Sequence, residues 1–146
     1  MTLNDILKVK GYSVHTVSAL TTLGEVVTKL CKLRCGSLVV VQPDGSANGR
    51  MVGIITERDI LHACNAHHGN IMELRVTEMM SMEIVTGFPS DTIEETMGTM
   101  TDHRIRHMPV VEDNRLIGIV SIGDVVKAQH GELTMENHYL KTYIHG

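Results

Sequence analysis

Short, almost continuously apolar runs alternate along the chain with stretches in which apolar residues recur at helical spacing. Leu23, Val26, Val27 and Leu30, for example, return every three or four positions behind Thr22, a residue type that suits a helix N-cap. The apolar runs predict strands buried on both faces. In each half of the chain the pattern predicts strand, helix, strand, strand, helix. The predicted strands span 14–17, 38–41, 51–55, 83–86, 108–111 and 116–120, and the predicted helices span 22–34, 57–66, 92–104 and 122–130.

The two halves also repeat one another in sequence. The phrase RMVGIITERDIL at 50–61 matches RLIGIVSIGDVV at 115–126, and four of the twelve positions are identical. Upstream, 22–25 matches 92–95, and the offset then falls from 70 to 65 across the loop at 42–49. A length difference confined to a hairpin loop is typical of a true duplication. Each copy is too small to cover its own sheet, so we expect an α+β fold in which two β-α-β-β-α repeats pack as a pair.

The expected organisation follows from the repeat boundaries. It comprises a first repeat with an N-terminal segment (1–68), a linker (69–82), a second repeat (83–131) and a C-terminal tail (132–146) that is helical from Glu132. In the tail, Tyr139, Leu140, Tyr143 and Ile144 form an apolar stripe, which favours packing on a partner subunit over a frayed end.

Composition and charge narrow the function classes. A chain of 146 residues with 42% hydrophobic and 21% charged residues is typical of one globular domain. The net charge of −4 lacks the basic excess of nucleic-acid-binding proteins, so we expect no nucleic-acid partner. No apolar run is long enough to span a bilayer, and the three cysteines are expected to be reduced thiols in a cytoplasmic protein.

Each repeated phrase places a hydroxyl and a carboxylate at the start of a helix. A buried strand ends at Thr56, whose neighbouring free N–H groups favour an anion, and Asp59 can accept from two adjacent hydroxyls such as those of a ribose. Gly53 allows another group to approach the strand closely. Thr-x-x-Asp is also a capping box, however, and a capping box requires no ligand. On spacing alone the capping interpretation is favoured.

The whole pattern resembles a pair of cystathionine-β-synthase (CBS) domains of the stand-alone bacterial signal-transduction type. The resemblance rests on three features: the tandem β-α-β-β-α units, the motif that ends each unit, and the sequence HMPVV at 107–111. The motif is a glycine followed by two apolar residues, Thr or Ser, any two residues and Asp. The resemblance covers roughly residues 3–130. It implies a pseudo-twofold pair with two clefts, each drawing on both repeats, that bind an adenosine ligand such as AMP, ATP, NAD or S-adenosylmethionine. It also implies a homodimer.

Carried over to this chain, the resemblance assigns residues to both clefts. Asp59 would hold the ribose, Thr56, Arg58 and Arg106 the phosphate, and aliphatic side chains the adenine. The first cleft comprises Thr56, Arg58, Asp59, Ile84, Val85, Thr86, Ile105, Arg106 and His107, and the second comprises Ser121, Asp124, Val14, His15, Thr16, Cys35, Gly36 and Ser37.

The second cleft departs from the first in charge. Gly123 stands where the first has Arg58, and Gly36 and Ser37 stand where it has Arg106 and His107. We therefore expect the first cleft to be the stronger site for a phosphorylated ligand.

Other clusters carry weaker signals. In the group His62, Cys64, His67 and His68, the first two residues are two positions apart, which on a helix points them to different faces, so a histidine-rich surface is favoured and no metal is expected. The sequence thus predicts a non-catalytic module that binds adenosine nucleotides and signals through an unknown regulated protein. The alternatives are a small nucleotide-modifying enzyme and a dimerisation module with vestigial clefts.

Overall fold

The computed structural model describes residues 1–45 and 48–145, except for the side chains of residues 133, 134 and 145. Along the chain the elements are α1 (Leu3–Lys10), β1 (Thr16–Ser18), α2 (Leu23–Leu33), β2 (Ser37–Gln42), β3 (Arg50–Thr56), α3 (Glu57–Ala66), a 3₁₀ turn (Ile71–Glu73), α4 (Val76–Met79), α5 (Ile93–His103), β4 (His107–Glu112), β5 (Arg115–Ser121) and α6 (Ile122–His145). The predicted loop at 42–49 includes residues 46 and 47, which lie outside the described residues.

The chain forms two compact units. The first-repeat unit contains Ser13–Ile84 with Asn114–Leu116, and the second-repeat unit contains Met1–Tyr12, Val85–Asp113 and the chain from Ile117 onward. The N-terminal segment, which the sequence groups with the first repeat, therefore packs in the unit of the second.

The first-repeat unit is built on a three-stranded sheet in the order β1-β2-β3. β1 runs parallel to β2, with Thr16 opposite Val39, and β2 runs antiparallel to β3, with Ser37 opposite Thr56. Residues 37–40 of β2 are all buried, which confirms that this apolar strand is covered on both faces. The core beneath it is aliphatic and comprises Val17, Ala19, Leu23, Val26, Leu30, Leu38, Val40, Ile55, Ala63, Ile71 and Val76.

The second-repeat unit has a two-stranded sheet, β4-β5, and the strand expected at 83–86 is wrong. Instead, Gly87 alone forms a parallel bridge to Val110. The reason lies in β4. In the first repeat the N–H of Val39 donates to the carbonyl of His15, whereas the corresponding residue of the second repeat is Pro109, which has no N–H to donate.

Each unit is completed by a short helix that the sequence pattern did not predict. Leu3, Ile6 and Leu7 of α1 belong to the core of the second-repeat unit, and Val76 of α4 belongs to the core of the first-repeat unit. The residue before each helix forms a matching antiparallel bridge, Thr2 with Thr92 and Arg75 with Thr22. Residues 2–10 and 75–83 are therefore equivalent segments 73 positions apart.

The last helix is longer than the repeat requires. α6 runs without interruption from Ile122 to His145, so the predicted helix at 122–130 and the helical tail are one element. Gly146 lies outside the described residues. In the part of the chain that the structure describes, every helix is too short or too polar to cross a bilayer.

Candidate ligand-binding site

The junction between β3 and α3 brings the first pair of predicted residues together. The Thr56 N–H donates to Oδ2 of Asp59 at 2.8 Å, the Thr56 hydroxyl donates to the same oxygen at 3.2 Å, and the Asp59 N–H donates to the Thr56 hydroxyl at 3.4 Å. This is a capping box, so the capping interpretation of the motif is confirmed. Among the described residues, Oδ1 of Asp59 has no hydrogen-bond partner, and one carboxylate oxygen remains to accept from a ligand.

The neighbours of this helix start come from the beginnings of β1 and β2. The Glu57 N–H donates to the carbonyl of Gly36 at 3.2 Å, and Ser37 lies opposite Thr56 in the sheet. Thr56 and Asp59 are half-buried, whereas the side chains of Arg58 and His15 are exposed. The first-repeat unit therefore gathers these residues, with Val14, Thr16 and Cys35, at one end of its sheet.

The second repeat reproduces the arrangement at the start of α6. The Ser121 N–H donates to Oδ2 of Asp124 at 2.8 Å, and the Asp124 N–H donates to the Ser121 hydroxyl at 3.1 Å. The Ile122 N–H donates to the carbonyl of Arg106 at 2.8 Å, as Glu57 does to Gly36. The second-repeat unit thus holds Ser121 and Asp124 near Arg106, with Val85, Thr86, Ile105 and His107 on the adjoining segments.

Asp124 differs from Asp59 because its carboxylate forms an ion pair with a lysine. The ammonium of Lys10, at the end of α1, lies 2.7 Å from Oδ2 of Asp124 and also donates to the carbonyl of Ile119 at 2.9 Å. Burial raises the pKa of the Asp124 carboxyl, but the hydrogen bonds from Lys10 and from the Ser121 backbone outweigh it, and the pKa is lowered overall. Sequence reasoning missed Lys10 because it looked only inside the repeat.

Capping boxes occur at other helix starts too, so the box alone does not define a site. Thr2 and Asp5 form one with almost the same distances, at 2.9, 3.1 and 3.4 Å. That box is exposed, whereas the hydrogen bonds around Asp59 and Asp124 are partly buried at the end of a core strand. The two repeated boxes are distinguished by this location.

The close approach expected at Gly53 is made by the protein itself. A methyl group built on Gly53 would collide with the side chain of Met80, and one built on Gly118 would lie 2.7 Å from Cδ2 of Leu7. Both glycines of the repeated phrase therefore make room for the segment that enters the unit, and they carry no argument for a ligand.

The structure leaves the predicted assignments distributed over two units. Ile84 and the residues of β1, β2 and α3 belong to the first-repeat unit, and the remaining assigned residues belong to the second-repeat unit. The combination of residues from both repeats into each cleft stays a prediction. His62, Cys64, His67 and His68 are exposed at or just beyond the end of α3, and within the described residues no three metal-ligating side chains lie close enough to hold an ion.

Comparison with known proteins identifies the family. A model of the CBS domain matches residues 3–66 and 76–131. The CBS domain-containing protein CBSX3, mitochondrial, of Arabidopsis thaliana is 36% identical over 99% of this chain and 72% of its own length. The crystal structure of the CBS-domain containing protein ATU1752 from Agrobacterium tumefaciens covers 88% of this chain and 99% of its own, with 36% identity and a TM-score of 0.82.

These matches establish that the chain belongs to the CBS-domain family and contains a tandem pair of CBS domains. The fold class expected from the sequence is confirmed. A further structural relative, the CBS domain protein PAE2072 from Pyrobaculum aerophilum, was solved in complex with AMP. It is 27% identical, covers 85% of this chain and 89% of its own, and has a TM-score of 0.73.

Proposed function

We propose that this chain is a non-catalytic regulatory module that binds an adenosine nucleotide through the helix start at Thr56 and Asp59. The observation that carries the proposal is the half-buried carboxylate of Asp59, which uses Oδ2 for its own cap and has Oδ1 without a partner among the described residues. The AMP complex of a structural relative supports the ligand class.

The chemistry of the helix start suits a ribose with a phosphate. A carboxylate oxygen has two lone pairs, so Oδ1 can accept from both hydroxyls of one ribose. The first N–H groups of α3 and the positive end of its dipole favour an anion nearby, and the exposed guanidinium of Arg58 supplies a mobile positive charge.

The ligand class is wider than AMP. ATP, NAD and S-adenosylmethionine share the adenosine that the proposed contacts recognise, with Ile84, Val85 and Ile105 as the aliphatic residues assigned to adenine and Arg106 to phosphate. The signal would pass to a separate regulated protein. A dimerisation module without nucleotide binding is the outcome that the experiment must distinguish.

The test compares two aspartates that cap helices in the same way. Asp59→Asn and Asp5→Asn each remove one charge from a capping box of nearly identical geometry. The two variant proteins should therefore lose a similar free energy of unfolding. A nucleotide at one hundred times its Kd should stabilise the wild type by about 2.7 kcal/mol, which is a rise in Tm of about 5–10 °C. Asp5→Asn should keep that rise, whereas Asp59→Asn should lose most of it.

The measurement is a thermal-shift panel of AMP, ADP, ATP, NAD and S-adenosylmethionine, followed by titration calorimetry of the best ligand. Equal losses of binding in both variants would show a stability effect only. The absence of any shift across the panel in the wild type would refute the proposal, and turnover of a nucleotide would favour the enzyme alternative.

We also propose that the chain forms a homodimer through α6. Tyr139, Leu140, Tyr143 and Ile144 are between 58% and 87% exposed on this helix, which is unusual for four large apolar side chains within one and a half turns. Sedimentation should give a dimeric mass that Tyr143→Glu together with Ile144→Glu reduces to a monomeric one. A monomeric wild type would refute this part.

A further inference from the structure

We infer that Lys10 is an internal occupant of the helix start at Ser121 and Asp124, which weakens nucleoside binding there. The inference rests on the proposed function, because it concerns the second of the two repeated helix starts. Lys10 stands outside the β-α-β-β-α repeat, and the family resemblance assigns it no role.

The position of Lys10 is fixed by its helix. Leu7, one turn earlier, is fully buried and lies against Gly118 of β5, and the Gly11 N–H closes the helix on the carbonyl of Leu7 at 2.6 Å. The end of α1 is therefore held beside β5. From there the side chain of Lys10 extends to the carbonyl of Ile119 near the end of that strand.

The ammonium makes two contacts that tie the side chain to the helix start. It donates to Oδ2 of Asp124 at 2.7 Å and to the carbonyl of Ile119 at 2.9 Å. Charge-assisted hydrogen bonds of this length are stronger than neutral ones. The side chains of Lys10 and Asp124 are 37% and 27% exposed, so a ligand could still reach the pair from solvent.

The equivalent place in the first repeat is filled differently. The carbonyl of Ile54, which corresponds to Ile119, accepts from the Ser81 N–H at 2.9 Å, so a backbone group does there what the Lys10 ammonium does in the second repeat. In the segment equivalent to α1, the position of Lys10 is taken by Glu83. Among the described residues, Asp59 forms no ion pair.

These differences give the two helix starts different ligand chemistry. At Asp59 the ribose would meet an unpaired carboxylate. At Asp124, Oδ1 also has no hydrogen-bond partner among the described residues, but the ammonium on Oδ2 compensates the charge of the carboxylate and makes it a weaker acceptor for the ribose hydroxyls. Because a partly exposed ion pair is weak, this compensation should weaken binding by no more than about five-fold, or about 1 kcal/mol.

The experiment titrates adenosine and AMP separately into the protein labelled with ¹⁵N. The amide of Gly123 reports on the start of α6 and the amide of Arg58 on the start of α3. In Lys10→Met the Gly123 resonance should reach its midpoint at up to about five-fold lower concentration of either ligand, and the Arg58 midpoint should not change. Lys8→Met, on the same helix, should behave as the wild type, and Lys10→Arg should keep the weaker midpoint.

The possible results separate the two proposals. If Arg58 responds to ligand while the Gly123 midpoint is the same in Lys10→Met and the wild type, Lys10 does not weaken nucleoside binding and only this inference is overturned. Weaker AMP binding in Lys10→Met with unchanged adenosine binding would show that Lys10 contacts phosphate, which also overturns it. If neither amide responds in any variant, the proposed function fails as well. Well-dispersed spectra of Lys10→Met establish that the variant is folded.

Discussion

The substitution Gly118→Ala tests whether α1 is an integral part of the second-repeat unit. A methyl group at Gly118 would lie 2.7 Å from Cδ2 and 2.9 Å from Cδ1 of Leu7, distances that force one of the two elements to move. Leu7 is fully buried, so its side chain has little room to yield. Overpacking of this kind costs about 1–3 kcal/mol, and the lower entropy of unfolded alanine returns about 0.4–1 kcal/mol.

We therefore expect Gly118→Ala to lower the free energy of unfolding by about 1–2 kcal/mol. The assay is urea denaturation followed by circular dichroism. Gly98→Ala is the matched control, because Gly98 is exposed in α5 and nothing lies within 4 Å of a methyl group placed there. That substitution removes a helix-breaking residue and should raise stability by about 0.5–1 kcal/mol.

A double-mutant cycle identifies the contact. Leu7→Ala alone should cost about 2–5 kcal/mol, since it empties a fully buried position. In the double variant the new methyl group of residue 118 enters part of that space, so the combined loss should be smaller than the sum of the single losses by about 1–2 kcal/mol. Additive effects, or a neutral Gly118→Ala, would refute the packing of α1 on β5.

Two further predictions concern charge and backbone strain. Because the pKa of Asp124 is lowered by its hydrogen bond with Lys10 despite burial, the carboxylate contributes stability above the ordinary aspartate pKa of about 3.9 and loses it as the pH falls through the depressed value. The wild type should therefore exceed Asp124→Asn in unfolding free energy by no more than about 0.5 kcal/mol, because the ion pair is partly exposed. This difference should vanish in acid, and a difference that grows as the pH falls would contradict the assignment. Arg34→Gly and Arg104→Gly should each raise the free energy of unfolding by up to about 1 kcal/mol and so raise Tm, because both residues end a helix at positive φ, 52° and 54°. Lys32→Gly, inside the last turn of α2, should lower Tm, and a lowered Tm for the two arginine variants would contradict the strain argument.

The repeat was visible in the sequence because its signals are local. Threonine caps, helical spacing and apolar runs predicted α2, α3, α5 and five of the strands to within one or two residues at each end. The helices that the sequence did not predict, α1 and α4, are fixed by contacts between segments that are distant in the chain. Nothing in the first ten residues indicates that Leu7 lies against a glycine more than one hundred positions away.

The error at 83–86 is of a different kind, because its cause was visible. Pro109 stands in the middle of a strand that should accept a parallel neighbour, and a proline cannot complete that ladder. Apolar periodicity predicted the strand and ignored the missing donor. A count of backbone donors would have found the error.

The candidate site shows the same division between local and distant information. The hydroxyl and carboxylate of each repeated phrase were found from spacing, and the structure places them as a capping box. The motif alone could not separate a cap from a ligand site, because one arrangement of hydroxyl and carboxylate would suit both. Lys10, which adds to the charge difference between the two copies, lies outside the repeat.

Duplication therefore preserved the shape of the two helix starts more strictly than their charge. Both strands keep the glycine that admits an entering segment, Leu7 at Gly118 and Met80 at Gly53, so the packing requirement holds in both copies. Three positions later in each entering segment, one copy has Lys10 and the other Glu83, a reversal of sign that packing does not demand. Since Lys10 compensates one of the two repeated aspartates, the two proposed nucleotide sites are not expected to have equal affinity, and the helix start at Asp59 should bind its nucleotide more tightly than the helix start at Asp124.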